Sequence, residues 1–173
     1  DLITAKEEVG EIEPYWQEMI PILKQSFQEM DEMKRSEGEA LGKDLQLRLE
    51  NIHQHLGEIK HLFPLRLEAY QNRLHERIRS FLRGIEVDTN RFQQEVAFLA
   101  ERADITEEIV RMESHLAQFV LLLEGEEPVG RKMDFLLQEI HREINTVSAK
   151  ANDAEISQRV VEIKSELEKI REQ

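Results

Sequence analysis

Apolar residues recur along most of this 173-residue chain at alternating intervals of three and four positions. Because an α-helix turns about 100° per residue, such positions fall on one narrow stripe of the helix surface. The spacing therefore predicts long helices that pack along seams, as in a coiled coil, and no segment shows the alternation of a β-strand. The clearest series is Leu41, Leu45, Leu49, Ile52, Leu56, Ile59 and Phe63.

Two more series flank this one and define an N-terminal arm over residues 1–84. Gly38 marks a break or a close helix crossing, and Pro64 suits a first helical turn, so a new helix is expected from Pro64 to about Arg83. We therefore predict an extended helical hairpin that serves reach or assembly. Trp16 is in register with the first series, which favours packing over stacking on a nucleic-acid base. These series are Ile12, Trp16, Met19, Leu23, Phe27, Met30 and Met33, then Leu67, Tyr70, Leu74, Ile78 and Phe81.

Residues 85–173 carry start signals for four shorter helices, which predicts a compact bundle after the arm and an all-α fold. The signals are the N-cap candidates Asp88 and Thr89, the capping-box pair Asp104 and Glu107, Pro128, and the N-cap Asp153. The expected inward residues are Phe92, Val96 and Leu99; Ile105, Ile109, Met112, Leu116, Phe119 and Leu123; Met133, Leu137, Ile140, Ile144 and Val147; and Ile156, Val160, Ile163, Leu167 and Ile170.

Composition excludes several classes of protein. The chain has no cysteine, so disulfides and thiolate metal sites are excluded. It has no apolar run of the length that a membrane span needs and no signal peptide at its start, so a cytoplasmic protein is expected, without a membrane partner. The chain begins at Asp1 rather than at a methionine, and we therefore expect a further segment upstream.

The net charge of −13 argues against a protein that grips nucleic acid through a basic face, and DNA is not an expected partner. The middle of the chain differs, since residues 61–103 carry 7 basic and 6 acidic side chains. Its arginines either pair with the acidic helices around them or form a local stripe that faces RNA. They include Arg66, Arg73, Arg77, Arg79 and Arg83.

Acidic groups and a histidine border the apolar stripes of two bundle helices. Glu108 and His115 share one flank of the helix after Asp104, and Glu139 and Glu143 share one flank of the helix after Pro128. Such groups on facing helices can hold a divalent cation that activates water, or act as a general acid and base. Nearby cations would then stabilise a charged transition state. The alternative is a set of ordinary ion pairs. The cations in question are Arg131, Lys132 and Arg142.

Three longer stretches carry a resemblance. "VDTNRFQQEVAFLAERADITEEIVRMESH", "VGRKMDFLLQEIHREINTVSAKANDAEIS" and "VVEIKSELEKIREQ" resemble the C-terminal region of the bacterial YicC/YloC-like endoribonuclease family. A weaker likeness extends upstream through "MKRSEGEALGKDL". The departures are mild, with Met133 where leucine is usual and His141 where the family often has asparagine. The resemblance implies a cytosolic endoribonuclease that cuts single-stranded RNA with a divalent metal, forms a hexamer around a channel, and carries an α/β domain before this region.

The favoured hypothesis is a metal-dependent endoribonuclease that hydrolyses phosphodiester bonds of single-stranded RNA with Mn²⁺ or Mg²⁺. The resemblance does not say which residues are catalytic, so their assignment rests on the helical positions above. One alternative is a non-enzymatic oligomeric adaptor that binds RNA and presents it to a processing nuclease, and another is a structural coiled-coil scaffold. The catalytic candidates are Glu108, His115, Glu139 and Glu143; the candidate metal ligands are Glu108, Glu139 and Glu143; and the candidate RNA contacts are Arg131, Lys132, Arg142, Arg73 and Arg77.

Overall fold

Five α-helices make up the computed structural model, which describes residues 12–81, 89–125, 127–151 and 153–173. Nothing in these ranges is a β-strand, so the predicted all-α fold is confirmed. Asp88, Arg83 and the predicted domain boundary between residues 84 and 85 lie outside the described residues. The helices are α1 (Ile12–Phe81), α2 (Thr89–Ala103), α3 (Thr106–Leu123), α4 (Gly130–Ala151) and α5 (Ala154–Arg171).

Helix α1 runs without a break through both positions where the sequence predicted one, so the predicted hairpin turn is wrong. A glycine inside a helix costs only about 1 kcal/mol relative to alanine, and a Cβ at Gly38 would meet no atom within 4 Å. Pro64 is exposed, while Phe63 beside it is buried and Leu67 packs against the core. Burial on both sides of Pro64 therefore outweighs the helix hydrogen bond that the proline cannot make.

The chain divides into two compact units, residues 1–42 and residues 43–173. In the second unit, the part of α1 after Lys43 shares one hydrophobic core with α3, α4 and α5. The predicted seams of these helices are confirmed, and α5 buries every inward residue that the spacing named. The fully buried centre of this core includes Ile52, Leu56, Ile59, Ile105, Met112, Phe119, Ile140, Ile144, Val147, Ile156 and Ile163.

Helix α2 contributes less to the core than its apolar spacing predicted. Phe92, Val96 and Leu99 are only half-buried, and Ala100 is the buried residue of this helix in the described chain. The ring of Phe92 lies 5.0 Å from the ring of His75, centroid to centroid, on α1. The prediction of four helices after the arm is confirmed, but α1 rather than α2 packs with the other three around the core.

Taken by itself, the first unit is one helical segment over its described residues 12–42. Trp16, which the sequence predicted to be packed along the seam, is 48% exposed on this helix. The same seam exposes Met19, Leu23, Phe27, Met30 and Met33.

The predicted helix starts are largely confirmed. Asp153 caps α5 by accepting hydrogen bonds from the backbone N–H groups of Glu155 at 3.0 Å and Ile156 at 3.1 Å. Asp104 accepts from the N–H of Thr106 at 2.7 Å, while Glu107 pairs with an arginine one turn further on, so only half of the predicted capping box forms. Helix α4 begins at Gly130, two residues after Pro128.

The contribution of the Asp153 N-cap to stability can be tested directly. Replacing Asp153 with Ala removes two acceptor contacts and is expected to destabilise the protein by about 1 kcal/mol, which lowers the melting temperature by roughly 2–4 °C. Asp153→Asn is the matched control, because asparagine caps a helix about as well. If the asparagine variant loses as much stability in thermal unfolding as the alanine variant, the ion pair of Asp153 with Arg66 matters instead of the cap.

None of the described helices has an apolar stretch that is long enough to cross a lipid bilayer.

Candidate functional site

Helices α3 and α4 pack side by side in opposite directions, and polar side chains meet along their shared border. The contacts show the antiparallel arrangement: Glu108 contacts Lys150, and the later α3 residue Arg111 contacts the earlier α4 residue Glu143. Further along α3, His115 meets Glu143 and Glu139. The border therefore carries a ladder of ionisable groups next to the apolar core.

His115, Glu139 and Glu143 form the acidic centre of this ladder. Each offers one ligand atom, and these atoms all lie within 4.8 Å of one another. Glu139 and Glu143 reach the same place because they are one helical turn apart on α4. We call these three residues the carboxylate–histidine cluster. The sequence predicted that they would meet, and the packing of α3 on α4 brings them together.

The two inner groups of the cluster are poorly hydrated. The Glu143 side chain is only 7% exposed. The Nδ1 atom of His115 is buried and has no hydrogen-bond partner among the described residues. A buried polar atom without a partner costs free energy unless something binds it. His115 therefore keeps one ring nitrogen without a hydrogen-bond partner in the described chain.

Arg111 offsets part of the negative charge of the cluster. Its guanidinium holds Glu143 in a fork, with Nε 2.9 Å from Oε1 and Nη2 donating to Oε2 at 2.9 Å. The hydrogen bond to Glu143 raises the pKa of the Arg111 guanidinium above its ordinary value, although burial acts in the opposite direction. The third nitrogen, Nη1, donates to Glu107 Oε1 at 2.5 Å, so all three guanidinium nitrogens face carboxylates although the side chain is 42% exposed.

Glu108 lies beside the cluster but is not part of it. Its side chain is 4% exposed, and its Oε1 accepts a hydrogen bond from Lys150 Nζ at 2.8 Å. Lys150 also donates to the carbonyl oxygen of Asp104 at 3.0 Å, which fixes the ammonium group between the start of α3 and the end of α4. The residue whose ligand atom lies near those of Glu139 and Glu143 is His115, not Glu108. Glu108 is instead half of a buried ion pair.

The predicted cations Arg131 and Lys132 do not reach the cluster. They lie in the first turn of α4, and the 12 residues between Arg131 and Glu143 correspond to about 18 Å along the helix axis. Both residues line a separate cavity of about 530 Å³ between α3 and α4. Arg142, by contrast, precedes Glu143 directly and is exposed.

The arginines of the middle segment divide between the two readings that the sequence left open. Arg66 pairs with Asp153 and Glu155 at the start of α5, as the ion-pair reading expects. Arg73 and Arg77 are exposed and line an open cavity on the C-terminal part of α1. Arg73 and Arg77 as RNA contacts therefore stay a prediction.

Sequence reasoning missed two features of this border. The forked contact of Arg111 with Glu143 and the buried Glu108–Lys150 pair depend on the register between two helices, which no pattern within one helix reveals. Phe135 was also missed as a surface group: it is 59% exposed beside Arg131. Its place outside the apolar stripe of α4 was the available signal, because a residue outside the stripe faces away from the core.

Comparison with known proteins identifies related chains. The family described as "Endoribonuclease YicC-like, C-terminal" matches residues 59–173. A curated protein of Clostridioides difficile, named "Probable endoribonuclease YicC", is 37% identical over 174 residues, which cover 100% of this chain and 59% of that protein. A protein of the same name from Haemophilus influenzae is 35% identical over 141 residues, covering 82% of this chain and 48% of that protein. The chain spans about half the length of these relatives.

Proposed function

This chain belongs to the YicC-like endoribonuclease family, and on that premise we propose that it carries the metal centre of an enzyme that cuts single-stranded RNA. The observation that carries the proposal is the carboxylate–histidine cluster, with three ligand atoms within 4.8 Å of one another and an orphaned histidine nitrogen. Two related proteins bear the name of an endoribonuclease. The proposed reaction is hydrolysis of the phosphodiester bond.

The donors of the cluster suit a divalent cation. Two carboxylates and one imidazole form a mixed oxygen and nitrogen set, which fits Mn²⁺ better than Mg²⁺, because Mg²⁺ prefers oxygen ligands throughout. His115, Glu139 and Glu143 would hold the ion, and water and a phosphate oxygen would complete its shell. Such an ion supplies Lewis acidity toward a phosphate oxygen and makes its bound water a stronger nucleophile at neutral pH.

The charges around the cluster favour one such ion. The acidic side chains here carry four negative charges, whereas Lys150 and Arg111 carry two positive ones; the acidic residues are Glu107, Glu108, Glu139 and Glu143. RNA brings further negative charge, so the complex needs additional positive charge at this point. A bound cation would supply this positive charge, because Arg111 and Lys150 are already paired with carboxylates.

We propose that Arg111 acts on the phosphate. A phosphate that displaces the 77% exposed Glu107 from Arg111 would meet a preorganised donor, which stabilises charge that develops on phosphate oxygens. Arg142 is exposed on α4, but consecutive residues of a helix do not share a face, so its contact with RNA stays a prediction. Lys150 and Glu108 do not touch the cluster atoms, and their proposed part is to hold the end of α4 in register with α3.

The proposed function is tested with end-labelled single-stranded RNA on a denaturing gel. The protein is incubated with the RNA in Mn²⁺, Mg²⁺ or EDTA. We expect cleavage in Mn²⁺, weaker cleavage in Mg²⁺ and none in EDTA. Because the chain spans about half of its relatives, the same assay is run on the full-length protein. If the RNA stays intact with both proteins in Mn²⁺ but shifts on a native gel, the protein is an RNA-binding adaptor and the nuclease proposal is wrong.

We further propose that the exposed seam of the first unit joins copies of this chain. Phe27 on this seam is 59% exposed, and self-association would bury it. Phe27→Glu is expected to weaken self-association by roughly 10- to 100-fold, since burying such a side chain contributes about 1.5–3 kcal/mol. Sedimentation equilibrium measures the change. Leu47→Glu is the control, because Leu47 is 56% exposed outside the seam. Equal effects of both substitutions would contradict a seam interface, and the hexamer stays an expectation until this measurement is made.

A further inference from the structure

A second pocket opens on the same border between α3 and α4. Its cavity volume is about 530 Å³, and its lining is mainly apolar with two cations at the rim. We define the stacking pocket by Gln118, Leu121, Leu122, Arg131, Lys132 and Phe135. We propose that this pocket binds the nucleotide next to the cut phosphodiester, with its base on Phe135 and its phosphate at Arg131 and Lys132. The proposal rests on the proposed function and names a substrate-binding site for it.

The apolar part of the stacking pocket is open to water. Phe135 is 59% exposed and Leu121 is 67% exposed, and they lie on facing helices. Adjacent exposed apolar groups of this kind mark binding sites. A planar nucleobase can cover both side chains at once, and stacking on an aromatic ring requires no particular base.

The cations of the stacking pocket are available to a ligand. Arg131 and Lys132 are both exposed. The ion pair of Lys132 with Glu127 is long, at 3.8 Å, and both side chains are more than half exposed, so water screens it. A chain with a net charge of −13 that places two neighbouring cations beside an exposed phenylalanine favours a ligand with both a phosphate and a flat apolar surface.

The geometry of α4 connects the stacking pocket to the carboxylate–histidine cluster. Arg131, Phe135, Glu139 and Glu143 follow one another at intervals of four residues, so they form a row along α4 in which each step is about 6 Å. On α3, Gln118 of the pocket lies one turn from His115 of the cluster. Arg131 is about 12 Å along the axis from Glu139, and Phe135 is about 6 Å from it, so a single strand that contacts Arg131 and Phe135 can extend to the cluster.

Gln118 gives the pocket a polar group at its edge. Its amide nitrogen donates to the hydroxyl oxygen of Ser114 at 3.3 Å, which is a long contact. The amide offers both donors and an acceptor to the edge of a base. This residue is the place where a preference among bases would arise, while Phe135 supplies affinity for any of them.

The test measures binding separately from cleavage. Fluorescence anisotropy with a labelled ten-nucleotide single-stranded RNA is recorded in EDTA, so that the strand stays intact. Phe135→Ala is expected to weaken binding by roughly 5- to 100-fold, the range of one stacked base. Phe135→Trp should restore it. Phe98→Ala is the matched control, because Phe98 is also an exposed phenylalanine, 55% exposed, on α2.

The outcomes separate this proposal from the proposed function. If the protein cuts RNA but Phe135→Ala binds as tightly as the unchanged protein, or Phe98→Ala loses as much affinity, the stacking pocket is overturned and the enzyme stands. If the protein cuts no RNA but Phe135→Ala weakens binding and tryptophan restores it, the pocket stands and the enzyme fails. If Phe135→Ala instead lowers the oligomeric state in sedimentation, the occupant is a second copy and the proposal is wrong.

Discussion

Glu143→Gln is expected to lower the rate of RNA cleavage in saturating Mn²⁺ by roughly 100- to 1,000-fold. Losing only a partner that orients a metal ligand already costs about 10- to 100-fold in metal affinity or activity, so losing a charged ligand should exceed that. Glutamine keeps the size of the side chain and can still accept a hydrogen bond from Arg111, so the fold should be retained. Single-turnover cleavage of end-labelled RNA measures the effect.

Glu113→Gln is the matched control for this substitution. Glu113 lies on α3 and pairs with Lys60 at 2.6 Å, outside the carboxylate–histidine cluster. Its replacement removes one carboxylate from α3, on the side that faces α1, and should change the cleavage rate by less than about twofold, as expected for an exposed ion pair. A Glu143→Gln protein that still cuts RNA at the rate of the Glu113→Gln protein would contradict a role of the cluster in the reaction.

Lys150→Met is expected to destabilise the fold by about 3 kcal/mol. The substitution leaves the Glu108 carboxylate buried at 4% exposure without its closest cation, and breaking a buried ion pair from one side costs about 3–5 kcal/mol. The lower end applies because Lys150 is 33% exposed and Arg111 remains 3.6 Å from Glu108. Urea unfolding at constant pH measures the loss of stability.

The double substitution Glu108→Met/Lys150→Met completes the cycle. Replacing both ends of a buried pair with apolar groups is often neutral, so the double variant should recover most of the stability lost in Lys150→Met. A double variant that is no more stable than Lys150→Met would show that the unpaired Glu108 is not the cause and that Lys150 acts through its bond to the Asp104 carbonyl.

The helices and their seams were predictable because helical periodicity is a local property. All five spaced residues of α5 are buried, and the Asp153 cap forms as the sequence indicated. The break in α1 was predicted wrongly for a related reason. Gly38 and Pro64 are local signals, and the burial of Phe63 and Leu67 that carries the helix past Pro64 comes from packing against other helices.

The candidate site was predictable only as far as one helix can show it. Positions on a helix face placed Glu139 and Glu143 together and put His115 on a flank of its own helix. The register of α3 against α4 then decided which groups meet, and it paired Glu108 with Lys150. Arg131 was expected at the cluster from its angular position around the helix axis. The rise along the axis, about 18 Å between Arg131 and Glu143, keeps the two residues apart.

The most direct test of the metal centre counts Mn²⁺ ions on the protein. Free Mn²⁺ is followed by electron paramagnetic resonance as the protein is titrated, without RNA. We expect one tight site per chain, and we expect His115→Ala and Glu139→Gln each to weaken it by at least about tenfold while Glu113→Gln leaves it unchanged. Tight binding that survives all three substitutions, or no binding by the unchanged protein, would contradict a cation held by His115, Glu139 and Glu143.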